Sequence, residues 1–376
     1  MTVYLDCNAT TPIDPRVSEF VIRFLKDDFG NAGSRTHEFG TSAKQALERA
    51  REQVARPVDA RLEEVIFTSG ATESNNIAIL GLAKAGIQNG KRHLVSTQIE
   101  HKAVLEPLAR LREHGFNVTL VPPTVGGWVR AEAVLDAVRD DTLLVSVMHV
   151  NNETGVIQPL SEIARGLEGR DTFFHVDAAQ GFGKSNKTLR NPRIDLISIS
   201  GHKIFGPKGV GALVTRRRGF NPLPLTPLIF GGGQERGLRP GTVPVHLVVG
   251  LGVAAELAAK EESARKDACM KYRQVVLSAL TQLEPHLNGD AERTLPHVLN
   301  LSFPGVDSEA AMLALKGVVA ISNGSACTSE GYEPSHVLAA MGLEDEVVRG
   351  ALRISWCHMT EGPDWGEVAS LLGDLL

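Results

Sequence analysis

The chain has 376 residues, 43% of them hydrophobic, and this length predicts two domains or one large domain with a smaller one attached. Thirty-nine basic and 44 acidic residues give a net charge of −5, which argues against a dedicated nucleic-acid binder. The four cysteines have no metal-binding spacing and are too few to brace the chain, so we expect no metal site and a reduced, cytoplasmic setting. No leader and no membrane-length apolar run is evident, so we expect a soluble protein.

Helix-length and strand-length patterns alternate through the first 257 residues. Apolar residues recur at helical spacing in "AKQALERAREQVA", residues 43–55. Short β-rich runs follow in the order "VIFT", "HLVST", "NVTLV", "TLLVSVMHV", "FFHVDA", "LISIS" and "GALVT". Most of them are uniformly apolar, which is typical of strands buried on both faces of a largely parallel sheet. We therefore expect an α/β fold with a large domain over residues 14–257.

Beyond residue 257 the pattern changes. Residues 247–283 predict one or two long helices, in which Cys269 is expected to pack. Shorter strands and helices follow, including "HVLNLSF" and "VVRGALRISW". We expect a smaller α/β domain over residues 258–376, together with the N-terminal segment 1–13.

Polar residues follow several of the apolar runs, where ligands bind in open α/β sheets. In "FTSGATESNN" a strand ends and a helix begins, and free backbone N–H groups there predict an anion site with Thr72 as a hydroxyl donor. An ordinary helix N-cap explains this stretch about as well. His101 in "QIEHKAV" and Asn152 in "MHVNNETG" follow two other strands, and a single histidine in such a loop is more often structural than catalytic.

A lysine and an acidic residue end two adjacent apolar runs. Lys203 lies in "SISGHK", and Asp177 lies one strand earlier in "HVDAAQ". A lysine at the end of a buried strand is costly unless it is paired or neutral, and a neutral amine is what Schiff-base chemistry requires. A carboxylate nearby is what a pyridinium nitrogen needs for pairing. The alternative is a surface lysine and a solvated aspartate.

Cys327 lies in the polar stretch "SNGSACTSEGYEPS" instead of an apolar run. A buried structural cysteine usually behaves as a small hydrophobe, so this setting is unusual for one. The stretch by itself is compatible with a free loop cysteine that has no function. A polar, glycine-containing loop would let a nucleophilic thiol move between two partners.

Taken together, these motifs resemble the cysteine desulfurases, pyridoxal-phosphate enzymes of the aminotransferase class V group. The resemblance runs nearly the full length, through "YLDCNATTP", "GNAGSRTHEFG", "TSGATESNN", "EHKAV", "HVNNETG", "HVDAAQ", "SGHKIFGPKG", "GGGQERGLRPGT" and "NGSACTSE". The long form of the cysteine loop is similar to that of the nitrogen-fixation and iron–sulfur-cluster subgroup. The chain is also similar to the desulfurases of bacterial DNA phosphorothioate modification. The resemblance implies pyridoxal-phosphate fold type I and a homodimer.

The resemblance also implies roles around the cofactor, pyridoxal 5'-phosphate. Lys203 would form the Schiff base, Asp177 would pair with the pyridine nitrogen, and Gln180 would bind the ring hydroxyl. His101 would stack on the ring and take part in proton transfer, and Asn152 would lie beside the ring hydroxyl. The phosphate would be held by Ala71, Thr72, Ser200 and His202, together with Thr242 from a second subunit.

For the substrate, the resemblance implies that Arg353 binds the carboxylate of L-cysteine, with Asn31 and Asn152 nearby. Cys327 would take the substrate sulfur as a persulfide and pass it to an acceptor, either a DNA-sulfur-modification protein or an iron–sulfur protein. The alternatives are a selenocysteine lyase, another class V aminotransferase, and a non-catalytic scaffold. The stretch "ISWCHMT" departs from the family pattern, so Cys357 is either a packing residue or a second thiol near the site.

Overall fold

The computed structural model describes residues 2–303, 305–323 and 334–376. The strands are β1 (Val3–Tyr4), β2 (Val65–Thr68), β3 (His93–Thr97), β4 (Asn117–Val121), β5 (Thr142–Met148), β6 (Phe173–Asp177), β7 (Leu196–Ser200), β8 (Gly211–Thr215), β9 (His286–Leu287), β10 (Val298–Ser302), β11 (Val319–Ala320) and β12 (Ala351–Ser355). The α-helices are α1 (Pro15–Lys26), α2 (Glu38–Ala55), α3 (Ala71–Leu80), α4 (Ala83–Gln88), α5 (Lys102–Glu113), α6 (Ala131–Asp136), α7 (Leu160–Gly166), α8 (Val245–Lys260), α9 (Glu262–Leu280), α10 (Ser308–Ala314), α11 (His336–Ala340), α12 (Asp345–Arg349) and α13 (Trp365–Gly373). None of the described helices combines the length and apolar character that crossing a membrane requires.

A seven-stranded sheet forms the centre of the larger part of the chain, with the strand order β2-β8-β7-β6-β5-β3-β4. The pairs from β4 through β7 are parallel, and only β8 runs antiparallel to its neighbours. The seven predicted runs coincide with β2 to β8, so the expected α/β fold with a mostly parallel sheet is confirmed.

Side-chain burial follows each strand's position in this sheet. Every residue of β2, β3, β5 and β7 is buried, because helices or loops cover both faces there. At the sheet edge, β4 alternates exposed and half-buried side chains before its last, buried residue. The carboxyl ends of the central strands therefore remain the natural place for polar residues to converge.

Helices α1 and α2 pack against α8 beside the sheet. Gly252 on α8 permits this close approach, because a Cβ atom there would lie 2.7 Å from the Cα of Ala50 on α2. The predicted helical stretch over residues 247–283 divides into α8 and α9 at Glu261, whose φ and ψ of −106° and 9° interrupt the helix.

A second core surrounds the antiparallel sheet β12-β10-β9 and includes Leu5, Cys269 and the fully buried Trp356. Strand β1 pairs in parallel with β11, so the N-terminal segment lies with the C-terminal part of the chain. The expected grouping of residues 1–13 with residues 258–376 stays a prediction. The domain boundaries at residues 14 and 257 stay a prediction.

Candidate active site

A cavity of about 930 Å³ lies at the carboxyl ends of the central strands. The residues that end β5, β6 and β7 line it, namely Met148, Asp177 and Ser200. The predicted site residues that line the same cavity are Ala71, Thr72, His101, Asn152, Asp177, Gln180, Ser200, His202, Lys203 and Arg353. Residues from positions 71 to 353 therefore converge, as expected where the carboxyl ends of parallel strands meet.

Lys203 lies just past the end of β7, in a short 3-10 turn over residues 201–203. Its Nζ atom donates hydrogen bonds to the carbonyl oxygens of Asn8 and, at 2.7 Å, Ala9. Burial, followed by the nearby positive charges of Lys184 and Arg353, lowers the pKa of Lys203 to about 7. A substantial share of this amine is consequently unprotonated near neutral pH, which is the form that acts as a nucleophile.

Asp177 is the last residue of β6 and is 6% exposed. One carboxylate oxygen accepts a hydrogen bond from Asn75 Nδ2 at 2.7 Å, and the other accepts one from the amide of Ala179 at 2.9 Å. Two fixed donors hold the carboxylate in one orientation at the cavity wall. It is placed to accept a hydrogen bond from a ring N–H group.

The first turn of α3 lines the cavity through Ala71 and Thr72. Gly70 precedes the helix with a φ of 156°, a conformation that residues other than glycine rarely adopt. The first N–H groups of a helix have no partner within it, and they carry a partial positive charge. This ten-residue helix therefore presents the cavity with donors suited to an anion such as a phosphate group.

Two of the predicted site residues on the cavity wall are histidines. His101 is the N-cap of α5, and its Nδ1 atom accepts a hydrogen bond from the amide of Ala103 at 3.0 Å. The Nε2 atom therefore carries the proton of the neutral ring. Removal from water lowers the pKa of His101, and it lowers that of His202, beside Lys203, to about 4. Both rings are neutral near pH 7.

Arg353 lies on β12 and is 6% exposed. Its Nη2 atom donates to Asp6 Oδ1 at 2.7 Å, and its Nη1 atom donates to the carbonyl oxygen of Asn152 at 3.1 Å. Within the described part of the chain, its buried Nε atom has no hydrogen-bond partner. A buried guanidinium with an unused donor fits a carboxylate ligand.

Gln180 is almost fully buried beneath the cavity. Its Nε2 atom donates to the carbonyl oxygen of Asn8 at 2.9 Å, and its Oε1 atom accepts from Lys184 at 3.2 Å. Gln180 and Lys203 therefore share one acceptor, the Asn8 carbonyl. This contact links the floor of the cavity to the N-terminal segment.

Two predicted site residues, Asn31 and Thr242, do not line the cavity, and a third, Cys327, falls outside the described residues. Asn31 is exposed, and its side-chain oxygen accepts a hydrogen bond from the amide of Gly33. Thr242 is also exposed and lies away from the cavity of its own chain. Cys327 lies outside the described residues, although Ser322 and Pro334, on either side of residues 324–333, both line the cavity. The roles of these three residues stay predictions.

Sequence reasoning missed several residues that position the site. Asp6 pairs with Arg353, Asn8 receives Lys203, and Asn75 orients Asp177. Asn75 follows Thr72 by one helical turn, so helical spacing could have identified it. His336, which also lines the cavity, gave no signal in the sequence. Within the described ranges, no group of three His, Cys, Asp or Glu side chains could hold a metal ion.

Comparison with known proteins identifies close relatives. The aminotransferase class-V family model matches residues 3–364. Cysteine desulfurase IscS of Methylococcus capsulatus is 45% identical over 375 residues, which cover 100% of this chain and 92% of that protein. The crystal structure of DndA from Streptomyces lividans is 50% identical with a TM-score of 0.83, covering 93% of this chain and 98% of that one. A NifS-like protein structure is 39% identical with a TM-score of 0.90, covering 100% and 98%.

Proposed function

The chain belongs to the aminotransferase class-V family, and on that premise we propose that it is a pyridoxal-phosphate-dependent cysteine desulfurase. The reaction converts L-cysteine and the Cys327 thiol into L-alanine and a Cys327 persulfide. The observation that carries the proposal is the convergence of Lys203, with its lowered pKa, and the oriented carboxylate of Asp177 in one cavity. The full-length likeness to cysteine desulfurase IscS supports the same activity.

The residues of the cavity fit pyridoxal phosphate. Asp177 offers a fixed acceptor for the pyridinium N–H, and Lys203 offers an amine that is partly neutral near pH 7. The N-terminus of α3 offers backbone donors for the phosphate, with Thr72 and Ser200 beside it. When bound, the cofactor acts as an electron sink that stabilises negative charge at the substrate Cα.

Around the substrate, the chain's own groups would bind and move protons. Arg353, held by Asp6, would bind the carboxylate of L-cysteine. Lys203 Nζ, with a pKa near 7, would take the proton from the substrate Cα. His101, neutral and protonated at Nε2, would stack on the ring and could donate its Nε2–H to stabilise the attacking thiolate.

Cys327 would take the sulfur. Its thiolate would attack the substrate sulfur, so that an S–S bond forms and the substrate C–S bond breaks. A proton added at Cβ and a proton returned to Cα would then complete L-alanine. The lining positions of Ser322 and Pro334 support this role, because the chain enters and leaves residues 324–333 at the cavity.

We also propose a homodimer in which Asn31 and Thr242 complete the partner's site. The stretches that carry these two residues also expose large apolar side chains: Phe29 is 67% exposed and Phe230 is 87% exposed. Clustered exposed apolar side chains mark surfaces that a partner covers, and Phe29 packs against the 51% exposed Phe39 with ring centroids 5.4 Å apart. A second copy of the chain that covers Phe29 and Phe230 would bring Asn31 and Thr242 of one subunit toward the cavity of the other.

For the sulfur acceptor, we propose a DNA-sulfur-modification protein in preference to an iron–sulfur protein. The likeness to DndA from Streptomyces lividans, at 50% identity, supports this order. We propose a cytoplasmic location, because a persulfide carrier needs a setting in which thiols stay reduced. Recovery of an iron–sulfur scaffold alone, when the persulfidated enzyme is used as bait in lysate of its own host, would reverse the order of acceptors.

The decisive experiment is mass spectrometry of the holoenzyme after incubation with L-cysteine, with alanine measured in the same sample. We expect one added sulfur atom on the peptide that contains Cys327, together with alanine. Lys203→Ala should form neither product, and Cys327→Ser should form no persulfide. Cys269→Ser, which removes a buried thiol distant in sequence from the loop, is the matched control and should keep both products.

The other outcomes identify the alternatives. Alanine without a persulfide on Cys327 indicates direct release of the substrate sulfur, which leaves as sulfide only with a reductant present, and favours the selenocysteine lyase alternative. A keto acid in place of alanine indicates an aminotransferase. A chain that binds no pyridoxal phosphate would refute the proposal and favour the alternative of a non-catalytic scaffold.

A further inference from the structure

Cys7 and Cys357 form a pair of buried thiols behind the candidate active site. They are 2% and 7% exposed and pack together with Phe205. Asp6 and Ser355 form a parallel β-bridge, and the amide of Cys7 donates to the carbonyl oxygen of Ser355 at 3.0 Å. Two chain segments far apart in sequence thus run side by side into the two cysteines.

The two sulfur atoms have unequal surroundings. The Cys7 thiol donates a hydrogen bond to the Cys357 sulfur, which lowers the pKa of Cys357 to about 6 and raises that of Cys7. The Thr360 hydroxyl lies 3.5 Å from the same Cys357 sulfur and donates to it. These contacts favour the thiolate form at Cys357 and the protonated form at Cys7.

A small cavity of about 50 Å³ adjoins the pair, and both cysteines line it together with Lys184 and His297. A space of this size can hold a molecule as small as water or hydrogen peroxide. Lys184 is half-buried, and its positive charge favours the thiolate form of Cys357. This small cavity therefore brings together the Cys357 sulfur, a proton donor and room for a small oxidant.

The pair is also joined to the active site through one residue. Asn8 follows Cys7 directly, and its carbonyl oxygen accepts hydrogen bonds from Lys203 and Gln180. Its side-chain oxygen lies 3.1 Å from His297 Nε2. A change in the backbone at Cys7 would therefore move the acceptor of the Lys203 amine.

We propose that Cys7 and Cys357 are a redox-active dithiol, separate from the sulfur-transferring Cys327, which small hydroperoxides oxidise to a disulfide. The structure supports this assignment through the two packed cysteines, the half-buried lysine and the adjoining cavity. It does not depend on the proposed desulfurase activity.

The oxidation balances in two steps. The Cys357 thiolate attacks one oxygen of the hydroperoxide, the O–O bond breaks, and the leaving oxygen takes a proton to become water or an alcohol. The Cys7 thiol then attacks the Cys357 sulfur, the S–O bond breaks, and water leaves. Two thiols and one hydroperoxide thus give one disulfide, and the oxidant takes up both electrons.

Digestion with trypsin tests the proposal directly, because cleavage after lysine and arginine puts each cysteine on its own peptide. The four peptides are residues 1–16, 267–271, 317–349 and 354–376. The wild-type holoenzyme is treated with a few equivalents of hydrogen peroxide, alkylated and digested without reduction. We expect peptides 1–16 and 354–376 to appear joined, with the loss of two hydrogen atoms, and to separate after reduction with dithiothreitol.

Cys269→Ser is the matched control, because Cys269 is as buried as Cys357 and should not affect the joined peptide. Cys7→Ser and Cys357→Ser should each abolish it. The proposal is overturned if wild-type Cys7 and Cys357 are recovered alkylated, or as sulfinic acids, at peroxide levels that fully oxidise Cys327. A link from either cysteine to Cys327 or Cys269 instead would also overturn it.

Discussion

Glu153 is a buried carboxyl group at the edge of the cavity, and replacing it with glutamine should change how stability depends on pH. Glu153 is 3% exposed and lines the cavity. Its Oε2 atom accepts a short hydrogen bond from the hydroxyl of Ser335, which also caps α11 through the amide of Leu338 at 3.1 Å. The contact fixes the chain where it emerges from residues 324–333. Glutamine keeps an oxygen for this hydrogen bond and removes the ionisation.

Burial raises the pKa of Glu153 from its ordinary value of 4.5 to about 7. The folded state therefore binds this proton more tightly than the unfolded state does. The stability that the neutral group contributes is intact below about pH 4.5, and it is lost progressively as pH rises to about 7. The interval between the two pKa values, at about 1.4 kcal/mol per pH unit, corresponds to a loss of about 3 kcal/mol.

Equilibrium urea unfolding of wild type and Glu153→Gln, at equal cofactor loading from about pH 5 to about pH 8, measures this loss. We expect the stability of the variant relative to wild type to increase by about 2–3 kcal/mol across this range, because a small part of the loss has already occurred at pH 5. Burial also raises the pKa of Glu100, to about 8, so Glu100 makes stability fall with pH in the same direction. Because Glu100 is present in both proteins, its contribution cancels in the comparison. Glu162→Gln, on the surface of α7, is the control. Equal pH dependence in Glu153→Gln and wild type would refute the reasoning.

Three further substitutions test single contacts. Arg353→Lys should raise the KM for L-cysteine roughly 10- to 100-fold in initial-rate assays, because lysine lacks the planar fork, and an unchanged KM would contradict carboxylate binding. Asp195→Asn should lower the free energy of unfolding by about 3 kcal/mol, because this buried carboxylate accepts hydrogen bonds from two arginines, and a loss below about 1 kcal/mol would contradict this. Gly181→Ala should lower the melting temperature, because the new Cβ would lie 1.9 Å from His149 Nδ1. Overpacking of this kind typically costs about 1–3 kcal/mol. An unchanged melting temperature would show that the His149 ring can move aside.

The central sheet could be predicted because its strands are uniformly apolar and separated by helical stretches. That pattern follows directly from burial on both faces, so each run coincided with a strand. The break between α8 and α9 could not be placed, because the helical pattern continues through Glu261 and the interruption is one of backbone conformation.

The polar residues at strand ends could be predicted for a similar reason, since a parallel sheet brings its carboxyl ends together wherever they fall in sequence. Lys203, Asp177 and His101 were found in this way. Asp6 and Asn8 were missed because they reach the cavity only through the pairing of the N-terminal segment with β11 and β12, which is a tertiary contact. No local pattern encodes that pairing.

The segment that leads to Thr242 is held by its own subunit although Thr242 faces outward. Glu235 and Arg236 both have positive φ, 45° and 59°, and such conformations in residues other than glycine cost about 1–3 kcal/mol each. The Glu235 carboxylate offsets this cost by accepting hydrogen bonds from Arg51, at 2.7 and 2.8 Å, and from the amide of Phe67 on β2.

Further along, Arg239 donates to Glu73 in the first turn of α3, the helix that presents its N-terminus to the cavity. The segment is thus fixed at both ends to elements of its own site, and Thr242 lies exposed beyond the second anchor. A side chain presented outward from such a rigid segment is suited to a site that a second copy completes. For the proposed homodimer, mixed dimers test this placement: Thr242→Ala in one subunit should weaken phosphate binding only in the other.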